Sequence, residues 1–395
     1  MDYHAYRHAL AHHLEGSELP FPIDEFRHRL KRTRSLMIEK GRDALLLTDP
    51  ADIFYLTGYH TFEVSVHTAL VVTAERLVLQ VPSIETGPAV VTATVDEIIG
   101  YRWENIDEVI EPLLALLSSY QHIGLDVFSA GLRQGIIQPL LHRLGKARFH
   151  NDGGVLLDSQ RLVKSEAELN YLRESARITS IGLQAAEAII EPGVTDNAVA
   201  AEGARAMLAA GSEFMSLQPI VTSGQRISVI HVNHKRTHIE AGDPVFLEFG
   251  SAYHRYTAPM MRTAVAGKAT TEMHDIAEVC RTIYAALKET MHPGNTFDDA
   301  AQAAEAALAP HADRVFFSGV FGYSVGAQFP PSWVEGTGYI ARGLKHRFEE
   351  NMVFHLPLCL RLPGVWGVGL SDTVQVTAKG GVAITDNDWQ INERG

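Results

Sequence analysis

EPGVTDNAVAAEGARAML at 191–208 and HPGNTFDDAAQAAEAAL at 292–308 are built alike: a Pro-Gly turn, a Thr or Asp helix cap, then an Ala-rich helix. Each is followed at comparable spacing by an apolar strand, AGDPVFLEFG (241–250) after the first and ENMVFHLPLC (350–359) after the second. Such self-similarity is a topological signal, because duplicated helix-strand halves bury their apolar faces by packing strands together and helices outside. A cleft at the junction of the halves is a natural place for a ligand. Upstream, RLVKSEAELNYLRESARITSIGLQAAEAII reads as a long helix entering this region, with Lys164 and Ser165 at its start.

The preceding sequence follows a different pattern. FPIDEFRHRLKRTRSLMIEKGRDALLLTDP carries Pro22 and Asp24 as helix-start signals, an amphipathic charged run, Gly41 as a stop and an apolar strand over Ala44 to Thr48. ALVVTAERLVLQVP is two apolar runs around a polar turn, a hairpin signal, and IGLDVF (123–128) predicts a further buried strand. Helix and strand alternate to about residue 160, so the expectation is an α/β domain over 1–160 and a second domain over 161–395.

Composition excludes several classes. At 395 residues the chain is too long for one typical core. Its charged fraction of 21% and hydrophobic fraction of 46% are ordinary for a globular protein, and no stretch approaches the ~20 apolar residues of a membrane span. The opening MDYHAYRHALAHHLEG has several histidines and no apolar run of secretory type, which points to the cytoplasm. Cys280 and Cys359 form no CxxC pair, so neither a disulfide framework nor a thiolate metal site is expected. A formal charge of -13, with HKR at 234–236 as the longest basic run, argues against nucleic acid and anionic membranes as partners.

Nearly the whole chain resembles the creatinase, prolidase and methionine aminopeptidase superfamily, whose catalytic domain is called the pita bread. The carriers are FPIDEFRHRLKRTRSLM and GRDALLLTDPADIFYLTGYH in the first domain, and RLVKSEAELNYLR, EPGVTD, TSGQRISVIHVNH, AGDPVFLEFGSAYHRYTAPMMRT, NMVFHL and SDTVQVT in the second. The resemblance implies an α+β fold: an N-terminal creatinase-like α/β domain followed by a C-terminal pita-bread domain with an internal pseudo-two-fold repeat.

Peptidases of this superfamily hold two metal ions with two Asp, one His and two Glu. In this sequence the resemblance puts Glu248 at the first Asp, Pro259 at the second, Tyr323 at the His, Pro357 at the first Glu and Ser371 at the second. Divalent ions need several carboxylate or imidazole donors, and a proline side chain offers none. No metal and no other cofactor is therefore expected. Creatinase itself works without metal, and the strings GYSVGAQFPPSW, YTAPMMRT and MVFHL look most like ectoine hydrolases, which open a cyclic amidine.

The resemblance assigns roles to particular residues. Glu248 is the expected nucleophile or base, and His231, in SVIHVNH, the proton shuttle. Tyr256, Tyr323, His355, Arg262 and Glu335 are expected to line the substrate site, Arg262 as anchor for a substrate carboxylate and Glu335 as partner for a substrate cation. In creatinase-like relatives the first domain of one subunit caps its partner's site, so a homodimer is expected, with Tyr59, His60 and His67 as candidates to reach across. Glu248 paired with Arg262 is the structural alternative. The expected activity is metal-independent hydrolysis of a carbon-nitrogen bond in a small amidine, ectoine foremost. A creatinase-like amidinohydrolase, a non-catalytic binding module and a residual metallopeptidase are the competing classes.

Overall fold

The computed structural model describes residues 3–395, which divide into two compact units, one ending at Arg161 and the other comprising Leu162–Gly395. In the first unit six strands form one mixed sheet in the order Glu97–Tyr101, Leu77–Pro82, Ala69–Thr73, Ala44–Leu47, Ile123–Leu125, Phe149–Asn151. Ala69–Thr73 and Leu77–Pro82 are the antiparallel hairpin read from the sequence; Ala44–Leu47 pairs antiparallel with Ala69–Thr73, and Glu97–Tyr101, Ile123–Leu125 and Phe149–Asn151 each add in parallel to a neighbour. Helix Ile23–Glu39 starts after Pro22 and stops before Gly41, whose φ of 64° is left-handed backbone that glycine adopts without strain. The strand expected over 123–128 is shorter. It ends at Leu125 because the Asp126 carboxylate accepts the Phe128 N–H and turns the chain.

The second unit opens with helix Glu166–Ala188. Ser165 caps it, accepting from the Glu168 N–H while the Glu168 carboxylate returns to the Ser165 N–H, a reciprocal box that satisfies two otherwise orphaned donors. The duplication then unfolds in register. Gly193 and Gly294 end the Pro-Gly turns with φ of 94° and 105°, and Thr195 and Thr296 cap helices Asp196–Ala209 and Phe297–Leu308. Each cap residue makes one antiparallel bridge, Thr195 with His238 and Thr296 with Arg347. Six residues beyond each bridge a central strand begins, Pro244–Phe249 in one half and Val353–His355 in the other.

Each half builds its own sheet. The first runs Ile391–Arg394, Met260–Ala266, Pro244–Phe249, Ile220–Ser223; the second runs Tyr339–Ile340, Gly322–Ser324, Val353–His355, Thr373–Thr377, Gly380–Ala383. Val245, Leu247 and Phe249 pack beneath Leu183, Val199 and Met207 of the first helix pair. Phe354, Val374 and Val376 pack beneath Ile283, Leu287 and Phe297 of helices Thr271–Thr290 and Phe297–Leu308. Each fully buried side chain of this size contributes about 1.5–3 kcal/mol. Helices are thus outside on both halves, and the hairpin Leu358–Leu362/Trp366–Leu370 sends Leu358, Leu360, Val368 and Leu370 into the second half's core and Cys359 against Phe246 and Met261 of the first. The tail closes the arrangement: Ile391–Arg394 runs parallel to Met260–Ala266, while Trp389 stacks on Tyr284 at 3.8 Å and donates to Asp372 of the second half at 2.7 Å. Among the described residues no helix is long and apolar enough to cross a membrane.

Candidate active site

Strand alternation decides where Glu248 points. In Pro244–Phe249, residues 245, 247 and 249 face the helices, so Phe246 and Glu248 face the opposite way. There Phe246 meets Ile220, Ile230, Met261 and Cys359, which makes the surroundings of Glu248 apolar. The residue is 6% exposed, and among the described residues no hydrogen bond or ion pair reaches its carboxylate. Burial alone pushes its pKa from 4.5 up to about 8.

The second half contributes a chain of neutral groups. Tyr323 and His355 are cross-strand partners, so their side chains share a face, and His355 Nδ1 lies 2.7 Å from Tyr323 Oη. His355 Nε2 lies 2.6 Å from Ser371 Oγ, which also accepts the Met261 N–H at 2.7 Å. Trp333 Nε1 donates to Tyr323 Oη at 2.9 Å. His355 is wholly buried and its pKa is pushed down to about 3, so it is a neutral imidazole. Burial raises the Tyr323 phenol well above its usual range, and the nearby Glu248 carboxylate adds to the shift. Burial and Glu248 likewise raise the Cys359 thiol, which leaves it a protonated neighbour and a poor nucleophile.

The donor set can be tested against a two-metal centre. At the five positions where peptidase relatives carry ligands, Glu248 is the one carboxylate; Pro259 and Pro357 offer no donor atom, and the hydroxyls of Tyr323 and Ser371 are engaged as described. Among the described residues there is no group of three or more His, Cys, Asp and Glu suited to a metal ion. These residues do not fit a binuclear site.

Several sequence expectations are corrected. Arg262 lies opposite Leu247 in the ladder and so on the helix side, away from Glu248; it approaches Glu187 at 3.6 Å and Asp386 at 3.5 Å. It can neither neutralise Glu248 nor anchor a substrate beside it. Glu335 is not a free cation-binding group, because Lys164 Nζ sits 2.6 Å away in a fully buried ion pair and Thr337 adds a hydrogen bond. Tyr256 is wholly buried and its hydroxyl donates to Glu168 at 2.8 Å. His231 stands exposed, one residue beyond buried Ile230, and makes no side-chain hydrogen bond with Glu248.

In the first unit Tyr59 is buried, donating to Glu85, and His67 is buried against Gln80 and Tyr101 with its pKa pushed down to about 4. Both are core residues and cannot reach a neighbour. His60 is half-buried, edge-on to Phe54. Sequence reasoning passed over Ser371 as a lost ligand and quoted Trp333 only within GYSVGAQFPPSW, and it missed the site roles of Cys359 and Met261. Their alternation within apolar strands was the signal for the last two.

Comparison with known proteins matches both units of the fold. Residues 29–163 match the Creatinase/Prolidase N-terminal domain and residues 170–378 match Metallopeptidase family M24. Ectoine hydrolase of Halomonas elongata is 25% identical over 94% of this chain and 98% of its own, and the Xaa-Pro dipeptidase of Pyrococcus horikoshii is 23% identical over 93% and 100%. Among solved structures, the dipeptidase PepE of Mycobacterium ulcerans superposes with a TM-score of 0.81 at 22% identity, covering 94% of this chain and 99% of that one. The prolidase of Pyrococcus horikoshii OT3 gives 0.78 at 22%, covering 91% and 99%. With its N-terminal creatinase-like domain, its duplicated pita-bread half-sheets and a matching profile over more than half its length, the chain belongs to Metallopeptidase family M24.

Proposed function

We propose that this protein is a hydrolase of carbon-nitrogen bonds that opens a small cyclic amidine, ectoine or a near relative of it, without a metal ion. The carrying observation is Glu248: an acid buried on an apolar sheet face, unpaired among the described residues, where the other acidic ligand positions of the family are proline or serine. An unpaired buried carboxylate is costly, and a cationic ligand removes that cost by supplying the missing charge in a low-dielectric cleft. An amidinium ion carries that charge on an already electrophilic carbon, so Lewis-acid polarisation is dispensable. Similarity to an ectoine hydrolase along nearly the full length supports the same substrate class.

Glu248 acts on the amidinium carbon, as base for the attacking water or as nucleophile. Cation binding lowers its pKa from about 8, so it becomes a carboxylate when substrate arrives. His231 stands exposed in the loop just beyond buried Ile230 and is the candidate to relay protons at the mouth of the site. The test is a mass-spectrometric screen of the purified protein against ectoine, hydroxyectoine, creatine, related amidine acids and Xaa-Pro dipeptides, with and without chelator. Chelator-resistant ring opening is the expected result. Chelator-sensitive peptide cleavage, or turnover of creatine in place of cyclic amidines, overturns the reading.

A further inference from the structure

The hydrogens lining the cleft can be counted. Ser371 Oγ is wholly buried and already accepts the Met261 N–H, so its own hydrogen needs an acceptor; among the described residues that acceptor is His355 Nε2. Leaving the hydrogen unpaired costs about 1–3 kcal/mol. A bare Nε2 places the single hydrogen of the neutral imidazole on Nδ1, which then donates to Tyr323 Oη. Trp333 Nε1 donates to the same oxygen. Tyr323 Oη therefore accepts twice, and its own hydrogen is spent on neither contact. The reverse assignment, Tyr323 donating to Nδ1 and Nε2 donating to Ser371, strands the serine hydrogen in the core.

We propose that Tyr323 is the proton donor to the departing nitrogen, its hydroxyl hydrogen kept free by the Ser371–His355 relay and by Trp333. This assignment rests on the amidine-hydrolase reading. Tyr323 is half-buried and is tied through His355 and Ser371 to Met261, the ladder partner of Glu248, and its phenol feels the Glu248 charge. Two N–H donors directed at Oη offset part of the burial and of the Glu248 charge that hold the phenol protonated, as oxyanion-hole donors do, so that the phenolate is transient and is reprotonated within the step.

The step balances by the water route. Water oxygen bonds to the amidinium carbon and one water proton passes to Glu248. The carbon-nitrogen electron pair leaves with the ring nitrogen, which takes the phenolic proton of Tyr323, and Glu248 returns its proton to the phenolate. The carbinol proton moves to the amine as the carbonyl forms, giving amide and ammonium with the cation's charge conserved.

Two measurements test it. Tyr323→Phe removes one oxygen and leaves ring packing intact; kcat should fall ~10²- to 10³-fold with KM changed by no more than ~3-fold, and amidines with better-leaving nitrogens should be less affected. Equal slowing of all amidines, or a wild-type kcat, overturns the donor role and leaves amidine hydrolysis standing. A wild type inert toward every amidine removes the reaction itself and the donor role with it. Independently of turnover, nitrogen-15 NMR of histidine-labelled protein, with His355 assigned by difference from His355→Gln, should show hydrogen on Nδ1 and none on Nε2. Hydrogen on Nε2 overturns the assignment whatever the kinetics.

Discussion

The two halves of the second unit share one plan and differ in how they treat charge. Ten residues beyond the His238 bridge stands Glu248; ten residues beyond the Arg347 bridge stands Pro357. The second half does contain buried acids, but each is answered: Glu335 by Lys164 and Thr337, Asp372 by Tyr284, Trp389, Thr385 and the Asn387 N–H, and Asp298 by Arg342, Lys345 and the Gly343 N–H. Glu248 has no such company among the described residues. A fold that satisfies its acids in one half and leaves one unsatisfied in the other has the arrangement that the proposed function requires, in which a cationic ligand supplies the missing charge.

The sharpest way to break this contrast is Glu248→Gln, which keeps the shape and removes the charge. Turnover of the amidine substrate should fall at least ~10³-fold in steady-state assays. Wild-type rates would take Glu248 out of the chemistry. Next in size is the answered acid: Lys164→Met leaves Glu335 buried without its cation, and chemical denaturation should register a loss of about 3–5 kcal/mol. A loss within error would mean that Glu335 is not held by Lys164 in solution.

Glu248 makes the opposite prediction for stability. Its folded pKa of about 8 lies above the unfolded value of 4.5, so the native state keeps a proton that the unfolded chain releases across that window. Native stability is therefore eroded as pH rises from about 4.5 to about 8. Glu248→Gln should melt above wild type at pH 9, by an amount on the order of a few kcal/mol, and alongside it at pH 4. His355 acts in the other direction: with its pKa lowered from 6.5 to about 3, stability is lost as pH falls through that range. The smallest expected effect is on the far face. Arg262→Met should cost about 1–3 kcal/mol through Glu187 and Asp386 while leaving KM within ~3-fold of wild type. A large rise in KM would return Arg262 to the substrate site.

These contrasts also mark what the sequence could tell. The duplicated Pro-Gly-Thr turns and the Ser165 cap are local signals, written within a few residues, and the structure uses them as read. Glu248 was legible because an acid inside VFLEFG has to be explained. Partnerships across long loops were not legible. Glu335 meets Lys164 across 171 positions, and Tyr256 meets Glu168 across 88. Arg262 was misplaced because its face depends on strand register, which turn geometry fixes and composition does not. Ser371 looked like a vacancy, and its use as a donor to His355 emerges once the two strands are side by side.

The carboxy-terminal strand has a consequence for biosynthesis. Ile391–Arg394 completes the first half's sheet, and Trp389 fastens to Asp372, the residue after Ser371. While the ribosome still holds these residues in its exit tunnel, the emerging polypeptide lacks the latch that ties one half to the other. Closure of the cleft thus has to wait for Trp389 and the strand that follows it, and nascent chains stalled before Trp389 should remain open to proteases.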